Sequence, residues 1–348
     1  MGFVGRFPKN CKQKHNAMAK ILITGAAGFI GSALSKYCLL HKGHEVYGLD
    51  QHWSLDHELK NNYWNSKFHR YAINIARQTE DLESIFEQVK PDVTFALHAY
   101  ASEGRSNHIR SFIHYNNTVS MANVINTCVN HNCKLVFTSS VAVYSGSPPF
   151  TETMEPNPVD EYGLSKWTSE KSIQIAGFTQ GLDWCIIRPR NVYGPGQNMW
   201  DRSRNLFGIW MYNALHGLPL TIYGDGEQSR SFTYIDDIIP CLYRAKDVSG
   251  EIINLGSTLH HTVKAACYKF AEVTGYKNIV HIDARHEVKE AFCDVSKSQK
   301  LLGFGDHETD LEIGIARMWE WARSQPERPL QEMPPLETNI NAHSSLKS

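Results

Sequence analysis

The feature that most constrains this chain is a junction near its start. The short apolar run K-I-L-I-T at 20–24 passes directly into T-G-A-A-G-F-I-G at 24–31. A β-branched, apolar run of this length stopped by glycines reads as a strand buried on both faces and ending in a tight turn. Residues 29–41 then read as a helix. In such a strand–turn–helix, Gly25 permits the turn, Gly28 lets the backbone approach a pyrophosphate, and Gly31 lets the helix pack closely on the strand. The helix N-terminus offers free N–H groups and a positive dipole end to an anion. Taken alone the pattern is weak, because a turn before any helix can look similar.

The rest of the first half repeats the alternation. Strands are predicted at 45–49, 93–97, 135–137 and 184–187, and helices at 81–90, 107–130 and 162–176, with Pro91 stopping the second helix. Strands alternating with helices at this spacing predict an α/β fold, a doubly wound parallel sheet of the Rossmann type joined by right-handed crossovers. After Arg188 the rhythm breaks, and Gly, Pro, Asn and Arg crowd into 191–204. A smaller C-terminal lobe over the carboxyl edge of the sheet is expected there, where open α/β sheets bind ligands. The division expected is a nucleotide-binding domain at 18–190 with a returning segment at about 232–256, and a substrate-binding lobe at 191–231 and 257–323. Before it, 1–17 is expected to be a disordered basic extension. After it, 324–348 is rich in Pro, Glu, Asn and Ser and is expected to be a disordered tail.

Charge and cysteine usage exclude several function classes. Thirty-five Lys and Arg stand against 36 Asp and Glu. Such a balance provides no electrostatic footprint for nucleic acid or an anionic membrane. No apolar stretch approaches the roughly 18 residues that span a bilayer. The eight cysteines include no C-x-x-C pair and no zinc spacing, so no metal site is expected. They read as buried thiols of a reducing compartment, which points to a cytoplasmic protein.

Three further positions carry chemistry. Asp50 falls at the end of the second predicted strand, where a carboxylate can accept hydrogen bonds from the two hydroxyls of an adenosine ribose. It would repel a 2′-phosphate, so NAD is favoured over NADP. Tyr162 and Lys166 lie four apart on a predicted helix and share one face. An ammonium beside a phenol, whose pKa is ordinarily about 10, favours the phenolate and makes it a usable base. Thr138-Ser139-Ser140 follows a predicted strand and brings hydroxyls to the sheet edge that carries the glycine loop. Each signal has a plain structural alternative: a solvated strand-end acid, surface helix chemistry, and a hydroxyl-rich turn.

In order along the chain stand T-G-A-A-G-F-I-G, S-S-V-A-V-Y (139–144), Y-G-L-S-K (162–166), R-P-R-N-V-Y-G-P (188–195) and G-D-G-E-Q-S-R-S-F-T-Y-I-D-D (224–237). This series resembles the extended short-chain dehydrogenase/reductases, within them the NAD-dependent epimerase/dehydratase family and its UDP-glucose 4-epimerase group. The resemblance spans roughly 18–323. It implies that Ser140, Tyr162 and Lys166 are catalytic. It places Gly25, Gly28, Phe29, Ile30, Gly31, Asp50, Asn74, Ile75, Leu97 and Asn117, with Tyr162 and Lys166, against NAD. It also places Ser140, Asn191, Arg230 and Arg285 against a nucleotide sugar, the last three at its diphosphate. The implied reaction inverts C4 of a UDP-hexose through a 4-keto intermediate, with Tyr162 as the base. Another UDP-sugar enzyme that oxidises C4 is the alternative: a UDP-glucuronate epimerase or decarboxylase, or a sugar dehydratase. A non-catalytic NAD-binding sensor stands third. Val141 and Ala142 follow Ser140 where sugar dehydratases resemble T-D-E, which disfavours elimination. Relatives commonly dimerise through two long helices, so a homodimer is expected through 107–130 and 162–176.

The chain also departs from the family pattern. His98 stands where small residues usually face the cofactor, Asn74 replaces a common Asp, and Ser231 replaces the Asp that usually follows Arg230. Ala291 aligns with the position that gates bulky 2-substituents on the sugar, and a slip of one residue would put Phe292 there.

Overall fold

A computed structural model describes residues 18–53, 66–202, 205–284, 289–305 and 308–338. Its centre is a seven-stranded sheet built from β1 (Lys20–Thr24), β2 (Glu45–Asp50), β3 (Phe68–Ala72), β4 (Val93–Ala96), β5 (Lys134–Thr138), β6 (Trp184–Pro189) and a returning strand, Glu251–Leu255. All are parallel, in the spatial order returning strand, β6, β5, β4, β1, β2, β3. The order reverses between β1 and β4, and the crevice beyond their carboxyl ends is where a doubly wound sheet receives a dinucleotide. Thr24 lies opposite Leu49 on one side and Ala96 on the other.

Alternation along β1 fills both faces of the sheet. Ile21 and Ile23 pack with Leu34 and Cys38 of helix α1 (Phe29–Leu40) and with Ile238 and Leu242 of the Ile235–Arg244 helix. Leu22 points the other way, to Leu82 and Phe86 of helix α2 (Thr79–Val89), Val124 and Ile173. Residues buried on both faces explain why β1 carries no polar alternation. Helix α2 ends where Lys90 turns left-handed (φ 52°) before Pro91.

Two expectations need correction. The helix predicted over 107–130 is α-helical over Arg110–Ile113 and Ser120–Asn130, with a π-helical stretch, His114–Val119, between them. The wider turn places Asn117 in the interior, where its amide has backbone partners; periodicity averaged over 20 residues does not register such a local unwinding. The tail expected from 324 is anchored through 338. The Gln331 N–H donates to the Trp200 carbonyl (2.8 Å), and the Glu337 carboxylate accepts from the N–H groups of Ser111 (2.9 Å) and Phe112 (3.0 Å). Composition undercounted this segment because polar and backbone pairing, not apolar burial, holds it. Residues 1–17 and 339–348 lie outside the described residues.

The smaller lobe is built on short strands. Val192–Tyr193 pairs with Thr233–Tyr234, and Ser229–Arg230 lies between His261–Thr262 and Glu290–Ala291. Leu220–Tyr223 pairs with Ile279–Ile282.

Candidate active site

The glycine loop has the geometry its sequence implied. Gly25 adopts φ +71°, and a Cβ there would lie 2.8 Å from the backbone of His98. A Cβ on Gly31 would lie 2.0 Å from the Gly25 carbonyl oxygen, so only glycine lets α1 start this close to β1. Gly28 is the N-cap of α1, and the first turn carries no acidic side chain. The helix terminus is therefore left bare for an external anion instead of being filled by the protein's own carboxylate. Asp50 stands beside it: its carboxylate accepts from the N–H of Ala27 (3.1 Å) and of His52 (3.0 Å), while burial raises its pKa. These residues fit a dinucleotide: a bare helix N-terminus for the pyrophosphate and a fixed acid for the ribose.

Around this core the remaining expected cofactor positions divide. Phe29 and Ile30 are half-buried in the first turn of α1, and a Cβ on Gly196 would touch the Phe29 ring at 3.6 Å. Leu97 follows β4, its N–H donating to the Thr24 carbonyl (3.2 Å). Asn74 donates to Gln51 (2.9 Å) near the end of β2, and the Ile75 carbonyl accepts from Asn123 (2.8 Å). The Asn117 amide accepts from the Tyr100 N–H (2.8 Å) and donates to the Tyr100 carbonyl (3.2 Å) and Ser165 Oγ (3.1 Å). It shapes the segment after β4.

His98 is a bridge. Its Nδ1 is 2.6 Å from Thr24 Oγ1 and its Nε2 is 2.9 Å from Ser120 Oγ. Ser120 already gives its proton to the Asn116 carbonyl, so it accepts from Nε2–H, and Nδ1 accepts from Thr24. Burial, reinforced by the Lys166 charge, pushes the imidazole down to about 3 and holds it neutral. Both nitrogens are used structurally.

The residues expected to be catalytic lie at and just after the end of β5, or on the helix that packs against it. Lys166 is 4% exposed and donates to the Thr138 carbonyl at 2.7 Å, with its Nζ 5.9 Å from the centre of the Tyr162 ring. Burial pushes this lysine down to about 7, against the pull of Glu170. Ser140 is buried, caps the short turn Val141–Val143, and accepts from the Ala142 N–H (3.1 Å). The neighbouring hydroxyls of Thr138 and Ser139 are buried without a hydrogen-bond partner.

Sequence reasoning missed what holds these groups together. In Y-G-L-S-K the glycine matters: a Cβ on Gly163 would lie 2.3 Å from the Ala142 carbonyl oxygen, so the Glu161–Gln180 helix can start directly against the turn after Ser140. Glycine inside a helical pattern, at a cost near 1 kcal/mol against alanine, was the signal available. Gly163→Ala should shift the helix start and lower kcat about 10²-fold, the loss expected for an ångström of misplacement. Rates near wild type, measured by product formation, would mean that the contact is relaxed elsewhere.

Asp160 caps the same helix, accepting from the Gly163 N–H at 2.7 Å, and burial with repulsion from Glu103 and Glu161 pushes its carboxyl up to about 7. A pKa raised on folding contributes stability below the unfolded value, about 4, that is lost as pH rises through 7. Asp160→Asn retains the cap oxygen without the charge. It should flatten the fall in melting temperature between pH 4 and 8; an unchanged slope would assign the fall to other groups.

Of the positions expected to bind substrate, Asn191 is left-handed (φ 37°) and donates to the Ser231 carbonyl (3.0 Å). Arg230 is steadied by its own strand, Nη1 donating to the Ser229 carbonyl (2.8 Å). Ser231, in place of the expected acid, is fully buried with its hydroxyl 2.8 Å from His260 Nδ1. Arg285 lies outside the described residues. Among the described residues no cluster of His, Cys, Asp and Glu could hold a metal ion, and no helix is long and apolar enough to cross a membrane.

A Rossmann sheet with a bare glycine-loop helix terminus, a strand-end Asp and a Ser–Tyr–Lys set defines an NAD-dependent enzyme of the extended short-chain dehydrogenase/reductase class. The model of the NAD dependent epimerase/dehydratase family matches residues 21–256, and the chain belongs to that family. It is 32% identical over 311 residues to an uncharacterized UDP-glucose epimerase, YtcB, of Bacillus subtilis (strain 168), covering 85% of this chain and 95% of the relative. Among solved structures it resembles the UDP-glucose 4-epimerase of Thermotoga maritima with UDP-glucose (28% identity, TM-score 0.80, 87% of this chain and 98% of that one). It resembles equally the UDP-glucuronic acid 4-epimerase of Bacillus cereus in complex with UDP-glucuronic acid and NAD (27%, TM-score 0.79, 87% and 99%). NAD is the cofactor, and the fold is that of enzymes acting on UDP-sugars.

Proposed function

We propose that the chain inverts C4 of a UDP-hexose. The carrying observation is that Lys166 bonds the last carbonyl of β5, with the Tyr162 ring beside it and Ser140 in the turn that follows, on the sheet edge that also carries the glycine loop. NAD, when bound, supplies the acceptor and donor of the C4 hydrogen. Tyr162 takes the 4-hydroxyl proton and returns it. Buried Lys166, fixed by the Thr138 carbonyl, favours the ionised phenol while it is charged. Ser140 hydrogen-bonds the reacting oxygen, and Gly25, Gly28 and Gly31 with Asp50 keep the dinucleotide in place between half-reactions. Asn191, Arg230 and Arg285 hold the diphosphate, so that the hexose can turn over while its nucleotide stays anchored. Val141 and Ala142, which cannot move protons, support epimerisation over elimination.

Ala291 shares an apolar cluster with Val141, Val143 and Tyr144, whereas the Phe292 ring lies tilted against His260, with centroids 4.9 Å apart. This supports Ala291, beside the turn after Ser140, as the residue facing the sugar side. Ile175 and Phe178 are 61% and 92% exposed on the Glu161–Gln180 helix, which supports a homodimer through that surface. We assign the enzyme to the cytoplasm, from the free cysteines of the described residues, six of them buried.

The test incubates purified protein with UDP-glucose, UDP-N-acetylglucosamine and UDP-glucuronate without added cofactor, followed by NMR. The 4-epimer of at least one sugar is expected. If every sugar is unchanged even after NAD is supplied, UDP-hexose epimerisation is wrong.

A further inference from the structure

The second arginine of R-P-R-N-V-Y-G-P is buried beside the expected site. Arg190 is 2% exposed, and its Nε and Nη2 have no hydrogen-bond partner. Burying a guanidinium with unused donors is costly, and such groups are kept when an acceptor completes them. Its charged and titratable neighbours do not. The Cys293 thiol bonds to it, yet burial holds that thiol up at about 11, so it brings no charge at neutral pH. Arg230 is a second cation acting on it, and His260 is itself lowered by burial and by the Arg190 charge. Among the described residues no carboxylate is among the groups acting on Arg190.

Position says where the missing anion belongs. On one side of Arg190, Cys293 packs with Ala291 against Val141, Val143 and Tyr144, the turn that follows Ser140. On the other side is Arg230, assigned to the diphosphate. Behind it, a Cβ on Gly256 would fall 3.1 Å from Arg190 Cβ, so the stem is fixed against the strand end. The guanidinium thus stands between the catalytic turn and the phosphate arginine, where the hexose lies if the reaction is the one proposed above. A diphosphate carries about two negative charges, and Asn191 and Arg230 are already assigned to it; a further cation matches a further charge, one on the sugar itself.

We propose that Arg190 is a specificity residue that pairs with a carboxylate on the hexose, so that the preferred substrate is a nucleotide-linked uronic acid. The inference rests on the C4-epimerase reading for its reaction, but not for its binding chemistry.

The test measures kcat/KM and calorimetric affinity for UDP-glucuronate and UDP-glucose in the wild-type protein, Arg190→Leu and Arg190→Lys, each checked for folding by circular dichroism. A charge-assisted pair predicts a wild-type preference for UDP-glucuronate of about 10- to 100-fold in both quantities. Arg190→Leu should collapse that ratio towards one, mainly through KM, and Arg190→Lys should keep much of it. Equal losses on both sugars would put Arg190 on the diphosphate and overturn the inference, as would a wild-type preference for UDP-glucose. If no sugar turns over, the epimerase reading fails by itself. An affinity gap that Arg190→Leu removes would still support the carboxylate contact, and equal affinities would overturn it.

Discussion

Tyr162→Phe is expected to lower kcat about 10³-fold on every sugar the protein accepts, with KM and melting temperature close to wild type. General-base catalysis by one positioned side chain contributes roughly 10²- to 10⁴-fold, and the phenol oxygen is the only atom removed. Tyr162 is 8% exposed and its ring lies near the buried Lys166 ammonium, so phenylalanine preserves the packing while deleting the proton acceptor. Steady-state rates from an NMR or coupled assay read the effect. A loss smaller than about tenfold would move the base to another group, and Ser140 would be next, because its hydroxyl lies at the same sheet edge.

The largest stability loss is expected from Glu170→Ala. Glu170 is fully buried and Arg188 is 1% exposed. Arg188 donates through Nε (2.9 Å) and Nη2 (2.5 Å) to the two carboxylate oxygens, and through Nη1 to the Tyr144 hydroxyl. That hydroxyl donates to Asn254 (3.0 Å), which joins the returning strand to the network. Removing the carboxylate strands a guanidinium away from water, which costs about 3–5 kcal/mol. Denaturant unfolding should show that loss, and Glu170→Leu with Arg188→Met should recover most of it. A single-variant cost below about 1 kcal/mol would mean that water reaches the site. The network ties Tyr144, in the turn after Ser140, to the helix of Tyr162 and Lys166. Weakening it should therefore reduce activity before it unfolds the protein.

The layout was largely legible in the sequence, for physical reasons. Strands buried on both faces give continuous apolar runs such as K-I-L-I-T, and tight approaches demand glycine, so Gly25 and Gly31 were visible without coordinates. Groups that act through distant partners were not. Gly163 looks like a weak spot in a helix until the Ala142 carbonyl is seen against it. Glu170, Arg188 and Asn254 are far apart in the chain and carry no spacing signal. His98 looked anomalous beside a cofactor, and became ordinary once Thr24 and Ser120 were seen to use both its nitrogens. The tail failed as a prediction because composition reports the apolar area available, and the segment before 338 is held by Glu337 at a helix N-terminus and by backbone bonds to Trp200 and His108.

Epimerisation at C4 is tested most sharply by the fate of the C4 hydrogen during turnover in D2O with an accepted UDP-sugar and no added cofactor. The expected product is a 4-epimer that keeps protium at C4 and gains no deuterium at C5, with NAD recovered from the denatured protein. Deuterium at C4 would contradict transfer and return of the hydrogen within one site, and deuterium at C5 would show proton abstraction next to a ketone and replace epimerisation by elimination chemistry.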